Sequence, residues 1–201
     1  MLNSVICATG MALFLGLATP LAGQQDTTWR PIAQEGVTRA SAIVDSVFVD
    51  RQAPSARIDG GDFTAYLMAR LGIPQLPPDF GFRVRVDSGA IHIGGSVGDL
   101  SGEAHRALAQ LVMILPSSTR LEARVTLLPA GPQAVRFHLD NATVQGVPVP
   151  ESLLAPMMRG VGRQYPALTE TGRDLFVQVP RGGKVTLVPG GVLLTAPPPG
   201  T

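Results

Sequence analysis

The chain has 201 residues, with 16 basic and 15 acidic side chains and a formal net charge of +1. Its charged residues are scattered along the sequence, and this excludes the clustered basic face of a nucleic-acid-binding surface. Aromatic residues make up only 5% of the chain, with one tryptophan, which counts against the stacking surfaces that bind nucleic acids or carbohydrates.

Residues 1–23 contain no charged side chain, and residues 5–21 are largely apolar. This pattern predicts a secretory signal peptide that is cleaved just before Gln24 or Gln25, and therefore an exported protein, periplasmic or extracellular. If the segment is not cleaved, it would anchor the protein to a membrane. Cys7 lies inside this segment, so the mature chain would have no cysteine and no disulfide.

Residues 24–56 are polar and interrupted by proline, which predicts a leader and linker before a single domain at 57–196 and a tail at 197–201. Within the leader, apolar side chains at helical spacing predict a helix over residues 38–51. The β-branched and aromatic run Val47-Phe48-Val49 leaves a strand as the alternative.

The strongest helix pattern begins at Asp59, the predicted N-cap, with Asp62 in a capping-box-like position. Its apolar stripe includes Leu67 and Leu71, and Gly72 supplies a stop signal. A hairpin over residues 82–93 follows, with one apolar face.

Ser101 can cap a second helix, over residues 101–114, whose apolar stripe includes Leu108 and Leu111. An alternating strand is predicted at 120–128 and another from Ala134. In the second of these strands the alternation slips near Asp140-Asn141, which predicts a β-bulge.

The segment Gly146-Val147-Pro148-Val149-Pro150 leads into a third helix that is unusually apolar. Pro156 lies inside this helix and predicts a kink or a restart. Three short strands, at 173–180, 184–188 and 192–196, are predicted to complete the same sheet.

This order contains no repeating strand–helix–strand unit, so it predicts an α+β fold, with a curved antiparallel sheet packed against two to four helices. The element order, together with the VPVP segment and the helix after it, resembles the LmeA-like family of secreted cell-envelope proteins over about residues 57–196. That family is similar to the tubular lipid-binding (TULIP) superfamily. The resemblance implies a curved sheet that wraps a long helix around a lipid-sized groove, and it supplies no catalytic residues.

The sequence Gly94-Gly95-Ser96-Val97-Gly98 matches the G-x-S-x-G pattern of a hydrolase nucleophile elbow. The predicted helix does not follow the serine at once, and no later histidine is suitably placed, so we interpret the match as a loop that leaves the hairpin. His92, His105 and His138 lack metal-ligand spacing. We therefore expect a protein that is not an enzyme and that uses no metal or cofactor.

The apolar faces of the helices carry the remaining hypothesis: an exported binding protein that holds a lipid or other lipophile in a groove. Its partners would be a lipophilic small molecule and the membrane surface or an envelope protein that supplies it, and not nucleic acid. The alternative is a cell-envelope assembly or interaction protein with a filled core and a sheet edge that receives a partner strand. The predicted groove residues are Leu67, Leu71, Leu108, Leu111, Leu153, Leu154, Met157, Met158 and Val161.

Overall fold

Two antiparallel sheets and three α-helices form the part of the chain that the computed structural model describes, residues 28–73, 75–77, 80–100 and 115–198. The predicted α+β class is confirmed. The predicted signal peptide (1–23) and second helix (101–114), including Leu108 and Leu111, lie outside the described residues. The helices are α1 (Gln34–Val44), α2 (Gly60–Arg70) and α3 (Glu151–Gln164). The strands are β1 (Arg30–Pro31), β2 (Ser55–Asp59), β3 (Arg83–Val86), β4 (Ile91–Ser96), β5 (Arg120–Pro129), β6 (Ala134–Val144), β7 (Val147–Pro148), β8 (Asp174–Gln178), β9 (Lys184–Val188) and β10 (Gly191–Thr195).

The larger sheet has seven strands, in the order β1-β3-β4-β5-β6, and β7 and β8 share the outer edge of β6. The smaller sheet has the order β2-β10-β9. The sequence predicted that the last two strands complete the same sheet as the others, and this prediction is wrong. They pair instead with β2, a strand from the region that was predicted to be a linker.

The first described residues belong to the fold, so the predicted leader and linker at 24–56 is wrong for residues 28–56. They supply β1, α1, a π-helical turn (Asp45–Val49) and β2. Ile32, Ala40 and Val47 are buried in the hydrophobic core. The predicted helix in this region is confirmed, although it begins at Gln34.

The N-terminus of α2 is capped as predicted, because the Asp59 carboxylate accepts a hydrogen bond of 2.8 Å from the Gly61 N–H. Asp62 has another role than the predicted capping box. It accepts hydrogen bonds of 2.6 and 2.8 Å from the Arg39 side chain on α1. Hydrogen bonding to Asp62 and the negative charge of Asp62 raise the pKa of Arg39. The helix ends before Gly72, whose φ of +92° is typical of a glycine C-cap.

The predicted β-bulge is confirmed in the β5–β6 pair. Arg124 pairs with Asn141, whereas the next residue, Val125, pairs with Leu139, so Asp140 is the extra residue. Because of this extra residue, the alternation of side chains between the two faces of β6 is reversed after Asp140. The apolar side chains before and after Asp140 therefore all lie on the same inner face of the sheet.

The inner face of the larger sheet has two halves. In the filled half, sheet side chains pack with α2 and the smaller sheet into one core, and the Phe137 and Phe63 rings lie 5.7 Å apart. The filled half consists of Val125, Leu127, Val135, Phe137, Leu175 and Val177. In the cavity half, the sheet lies opposite α3 with open space between them, and its residues are Ile93, Leu121, Ala123, Leu139, Ala142 and Val144.

Candidate functional site

The position of α3 is set by the turn that precedes it. Gln145 and Gly146 both have positive φ values, of 53° and 77°, and form the two-residue turn between β6 and β7. This turn reverses the chain at the end of the cavity half. Pro150 is then the N-cap of α3, and its fixed φ suits the start of a helix.

The segment between α3 and β8 holds both ends of α3. At the first turn, the Arg173 guanidinium donates a hydrogen bond of 2.7 Å to the Glu151 carboxylate, and the Arg173 side chain is only 16% exposed. Near the last turn, Gly162 packs so closely that an added Cβ would lie 2.6 Å from the Thr169 carbonyl oxygen. Gly172 likewise leaves no room for a Cβ beside the Met158 carbonyl. The helix is thus held by this segment at its first turn, at Met158 in its middle and near its last turn.

Helix α3 continues through Pro156 as one helix, so the predicted restart is wrong. Proline removes the N–H that would bond to the carbonyl of Ser152. Ser152 and Pro156 are both exposed, so water can satisfy that carbonyl. The contacts with the segment before β8 keep the helix in place despite the missing hydrogen bond.

A cavity of about 310 Å³ lies between α3 and the cavity half of the sheet. Its floor consists of the six side chains of the cavity half, and Phe82, Leu100 and Val149 contribute to its sides. Its roof consists of Leu154, Met157, Met158, Val161 and Tyr165.

The cavity is almost entirely apolar. Among the described residues that line it, the only charged one is Glu122, which pairs with Thr143 across β5 and β6. Glu122 lies between Leu121 and Ala123, which face the cavity, so strand alternation directs its side chain to the outer face. The site can therefore hold an apolar group, and the described lining offers no acid–base pair for a reaction.

Four of the predicted groove residues line this cavity: Leu154, Met157, Met158 and Val161. Leu153 does not line it and is 53% exposed. Leu154 and Met158 lie four residues apart and share the helix face toward the sheet, whereas Leu153 lies about 100° around the helix from Leu154, on the side away from Met158. The prediction for Leu153 is corrected accordingly.

Leu67 and Leu71 also lie away from the cavity. Leu67 is 8% exposed within the hydrophobic core, and Leu71 packs against that core from the end of α2. The apolar stripe of α2 is already covered, with Phe63 beside Phe137. Among the described helices, α3 lines the cavity and α2 does not, so the predicted groove residues of α2 belong to the core instead.

The floor of the cavity, above all Ala123 and Ala142, was not among the predicted groove residues. The alternation of β5 places Ala123 on its inner face, and the bulge places Ala142 on the inner face of β6. These two signals were available, but only the register shows that the two alanines are direct cross-strand partners.

Ser96 has a structural role. Strand β4 continues through Ser96, so the predicted loop at Gly94 is wrong, and a single 3₁₀ turn (Val97–Asp99) follows it. The Asp99 carboxylate accepts hydrogen bonds from the Ser96 hydroxyl and the Ser96 N–H, at 2.8 and 2.7 Å. A nucleophile elbow requires a helix directly after the serine, and this geometry differs.

The two glycines before Ser96 let aromatic rings approach both faces of β4. A Cβ added at Gly94 would lie 3.0 Å from the ring of Trp29, and one added at Gly95 would lie 2.7 Å from the ring of Phe82. Phe82 lines the cavity. Gly95 therefore matters because it lets Phe82 lie at the side of the cavity.

The outer face of the larger sheet carries two pairs of histidine and aspartate. The Nε2 atom of His92 lies 2.9 Å from the Asp87 carboxylate, and the Nδ1 atom of His138 lies 2.8 Å from the Asp174 carboxylate. Burial alone would raise the pKa of Asp87, but hydrogen bonds from the Gly89 N–H, His92 and the Ala90 N–H lower it overall. Each histidine thus has its own partner.

In the described ranges, no group of three or more histidine, cysteine, aspartate and glutamate side chains could hold a metal ion. None of the described helices is both long and apolar enough to span a membrane. No protein-family model, curated protein or solved structure matches the chain, so its function is inferred from the geometry of the cavity.

Proposed function

We propose that this is an exported, non-enzymatic protein that binds a lipid or other lipophilic small molecule in the cavity beneath α3. The observation that carries the proposal is the apolar cavity of about 310 Å³, walled by the sheet on one side and by α3 on the other. Its volume lies at the lower end of the range of about 300–1,000 Å³ for ligand pockets. A small apolar ligand is therefore the class that fits.

The energetics favour such a ligand without any special polar motif. Each methylene that moves from water into an apolar site contributes about 0.8 kcal/mol. Cavities with purely apolar linings tend to stay dry, so a hydrocarbon group entering this one displaces no well-bound water. The thioethers of Met157 and Met158 in the roof are flexible and can adapt to the shape of the bound molecule.

Two features of the sequence support export and lipid binding. The apolar segment at residues 1–23 is typical of a signal peptide. The resemblance to the LmeA-like family and the TULIP superfamily implies lipid binding between a curved sheet and a helix. The ligand would come from a membrane surface or from an envelope protein that carries lipid.

The alternative is a cell-envelope assembly or interaction protein that receives a partner strand. One observation favours it: a cleft of about 410 Å³ runs beside Lys184, Val185, Thr186 and Leu187 of β9. Strand β9 is an edge strand of the smaller sheet, so a peptide could pair with it. This alternative assumed a filled core, however, and the cavity under α3 favours the lipid.

The decisive experiment is native mass spectrometry of the protein purified from a cell envelope, followed by solvent extraction of the bound material. We expect a stoichiometric lipid adduct. Met157→Asp should abolish the adduct, because a carboxylate in the roof would have to be desolvated against the ligand. Leu153→Asp is the matched control on the outer side of the same helix and should retain the adduct.

Circular dichroism of both variants separates loss of binding from loss of folding. A wild-type protein without any adduct, or a folded Met157→Asp variant that keeps it, would contradict the proposal. The first outcome, together with a protein that copurifies and crosslinks to β9, would favour the partner-binding alternative.

A further inference from the structure

Two alanines are the smallest side chains in the cavity floor. Ala123 and Ala142 are direct cross-strand partners, and both line the cavity. Directly opposed side chains in an antiparallel pair have Cβ atoms about 4.5–5.5 Å apart, so the two alanines form one continuous small surface. The neighbouring floor positions carry the larger side chains of Ile93, Leu121, Leu139 and Val144.

The two alanines therefore form a recess between larger side chains. Leu121 and Val144 pair with each other on one side of the alanines, and Leu139 lies beyond the bulge on the other side. The roof of the cavity includes the unbranched, flexible side chains of Met157 and Met158. A narrow recess of this kind suits a flexible chain better than a broad, rigid ring system.

We propose that Ala123 and Ala142 determine the specificity of this site, and that they adapt it to a single unbranched hydrocarbon chain of medium length. The inference rests on the proposed function and names its ligand class. A methylene is about as large as a water molecule, whose share of liquid volume is about 30 Å³, so the cavity holds about ten carbons. The two chains of a diacyl lipid do not both fit.

The polar end of the ligand lies outside the cavity. The six floor side chains are aliphatic, and four of the five roof side chains are aliphatic or thioether groups. An ionised carboxylate inside this lining would lose its hydration without a partner, which is strongly unfavourable. The ligand is therefore held by its chain, and the volume of the floor determines how much of the chain is buried.

The test uses saturated fatty acids, from octanoate to hexadecanoate, as probes in titration calorimetry with the delipidated full-length exported chain. For the wild type, we expect Kd to fall about fourfold with each added methylene until the cavity is full, near decanoate, and then to level off. Ala142→Leu adds three carbons to the floor. The length at which Kd levels off should therefore shorten by about three carbons, and Ala123→Leu should do the same.

Two further variants keep the result interpretable. Ala142→Val adds two carbons and should shorten the limit by about two, which covers the case in which the leucine variant fails to fold. Ala130→Leu, in the turn between β5 and β6 and outside the lining, should leave the limit unchanged. A melting temperature near that of the wild type establishes that each variant is folded.

The outcomes separate the two proposals. If no fatty acid of any length binds to the wild-type chain, the single-chain inference is overturned, and the proposed function falls with it only if the native mass spectrum also shows no adduct. If fatty acids bind but the limiting length is the same in the wild type, Ala142→Leu and Ala142→Val, only the specificity role of the alanines is overturned.

Discussion

The two halves of the inner face of one sheet differ in how they are covered. Both halves are apolar. In the filled half, Phe137 is 3% exposed and lies against Phe63 of α2, so the space is occupied by large side chains from both elements. In the cavity half, α3 faces Ala123 and Ala142, and a volume of about 310 Å³ stays open. The two halves thus differ in the size of the facing side chains and not in their polarity.

The two helices are also held differently, and this explains how a cavity can persist. Side chains along α2 interdigitate with the core, as is normal for protein interiors, which are packed about as densely as organic crystals. Helix α3 is held by the segment before β8, through the Glu151–Arg173 ion pair, the approach of Gly172 to the Met158 carbonyl, and Gly162 close to the Thr169 carbonyl. Because these contacts help to hold α3 in position, the side chains that face the sheet need not fill all of the space.

The largest expected difference between the halves involves two neighbouring inner-face positions of β6. Phe137→Ala removes a ring from the filled half and should lower the free energy of unfolding by about 3–5 kcal/mol. Leu139→Ala enlarges a cavity that already exists, so it should cost less than half as much. Urea denaturation followed by circular dichroism measures both.

Equal losses for the two variants would mean that the space under α3 is as tightly packed as the filled half. The comparison is made on delipidated protein, because a bound ligand would stabilise the wild type by mass action. The urea dependence of the free energy should be the same for both variants, which verifies that they unfold from similar native states.

A second pair of variants adds volume instead of removing it. Ala65 of α2 is fully buried, and Ala65→Leu should overpack the filled half and destabilise the protein by about 1–3 kcal/mol. Ala142→Leu adds the same three carbons to the cavity half and should leave the delipidated protein as stable as the wild type, or slightly more stable. Thermal unfolding of both variants tests this. A loss of stability in Ala142→Leu as large as that in Ala65→Leu would contradict the comparison.

The elements with strong local signals were predictable from the sequence. The cap at Asp59, the stop at Gly72 and the bulge at Asp140 all follow from one or two residues and their neighbours. The interpretation of residues 28–56 as leader and linker was wrong because their polar, proline-containing composition resembles a linker. Its few apolar residues, including Ile32 and Val47, suffice to anchor it in the core.

The candidate site was predictable only on the α3 side. Leu154, Met157, Met158 and Val161 share one helix face, and that face could be found from their spacing. The floor depends on which residues of β5 and β6 are opposite each other, and strand register is not a local property. The local pattern also could not show that α2 packs in the hydrophobic core. Its apolar stripe, which includes Phe63 and Leu67, resembles the stripe of a helix that lines a groove.

The smallest expected effects compare backbone strain at one position before α3 with backbone strain at one position beside the filled core. Gln145 precedes α3 and Arg51 follows the π-helical turn that packs into the core, and both adopt φ values near +53° without being glycine. Gln145→Gly and Arg51→Gly should each raise the free energy of unfolding by about 0.5–1 kcal/mol, because glycine adopts this conformation without a Cβ clash. Urea denaturation of each variant measures the change. Since the cause is local, the two gains should agree. A much larger gain for Gln145→Gly would mean that strain in the turn affects the position of α3. The cavity would then depend on that strain as well as on the contacts between α3 and the segment before β8.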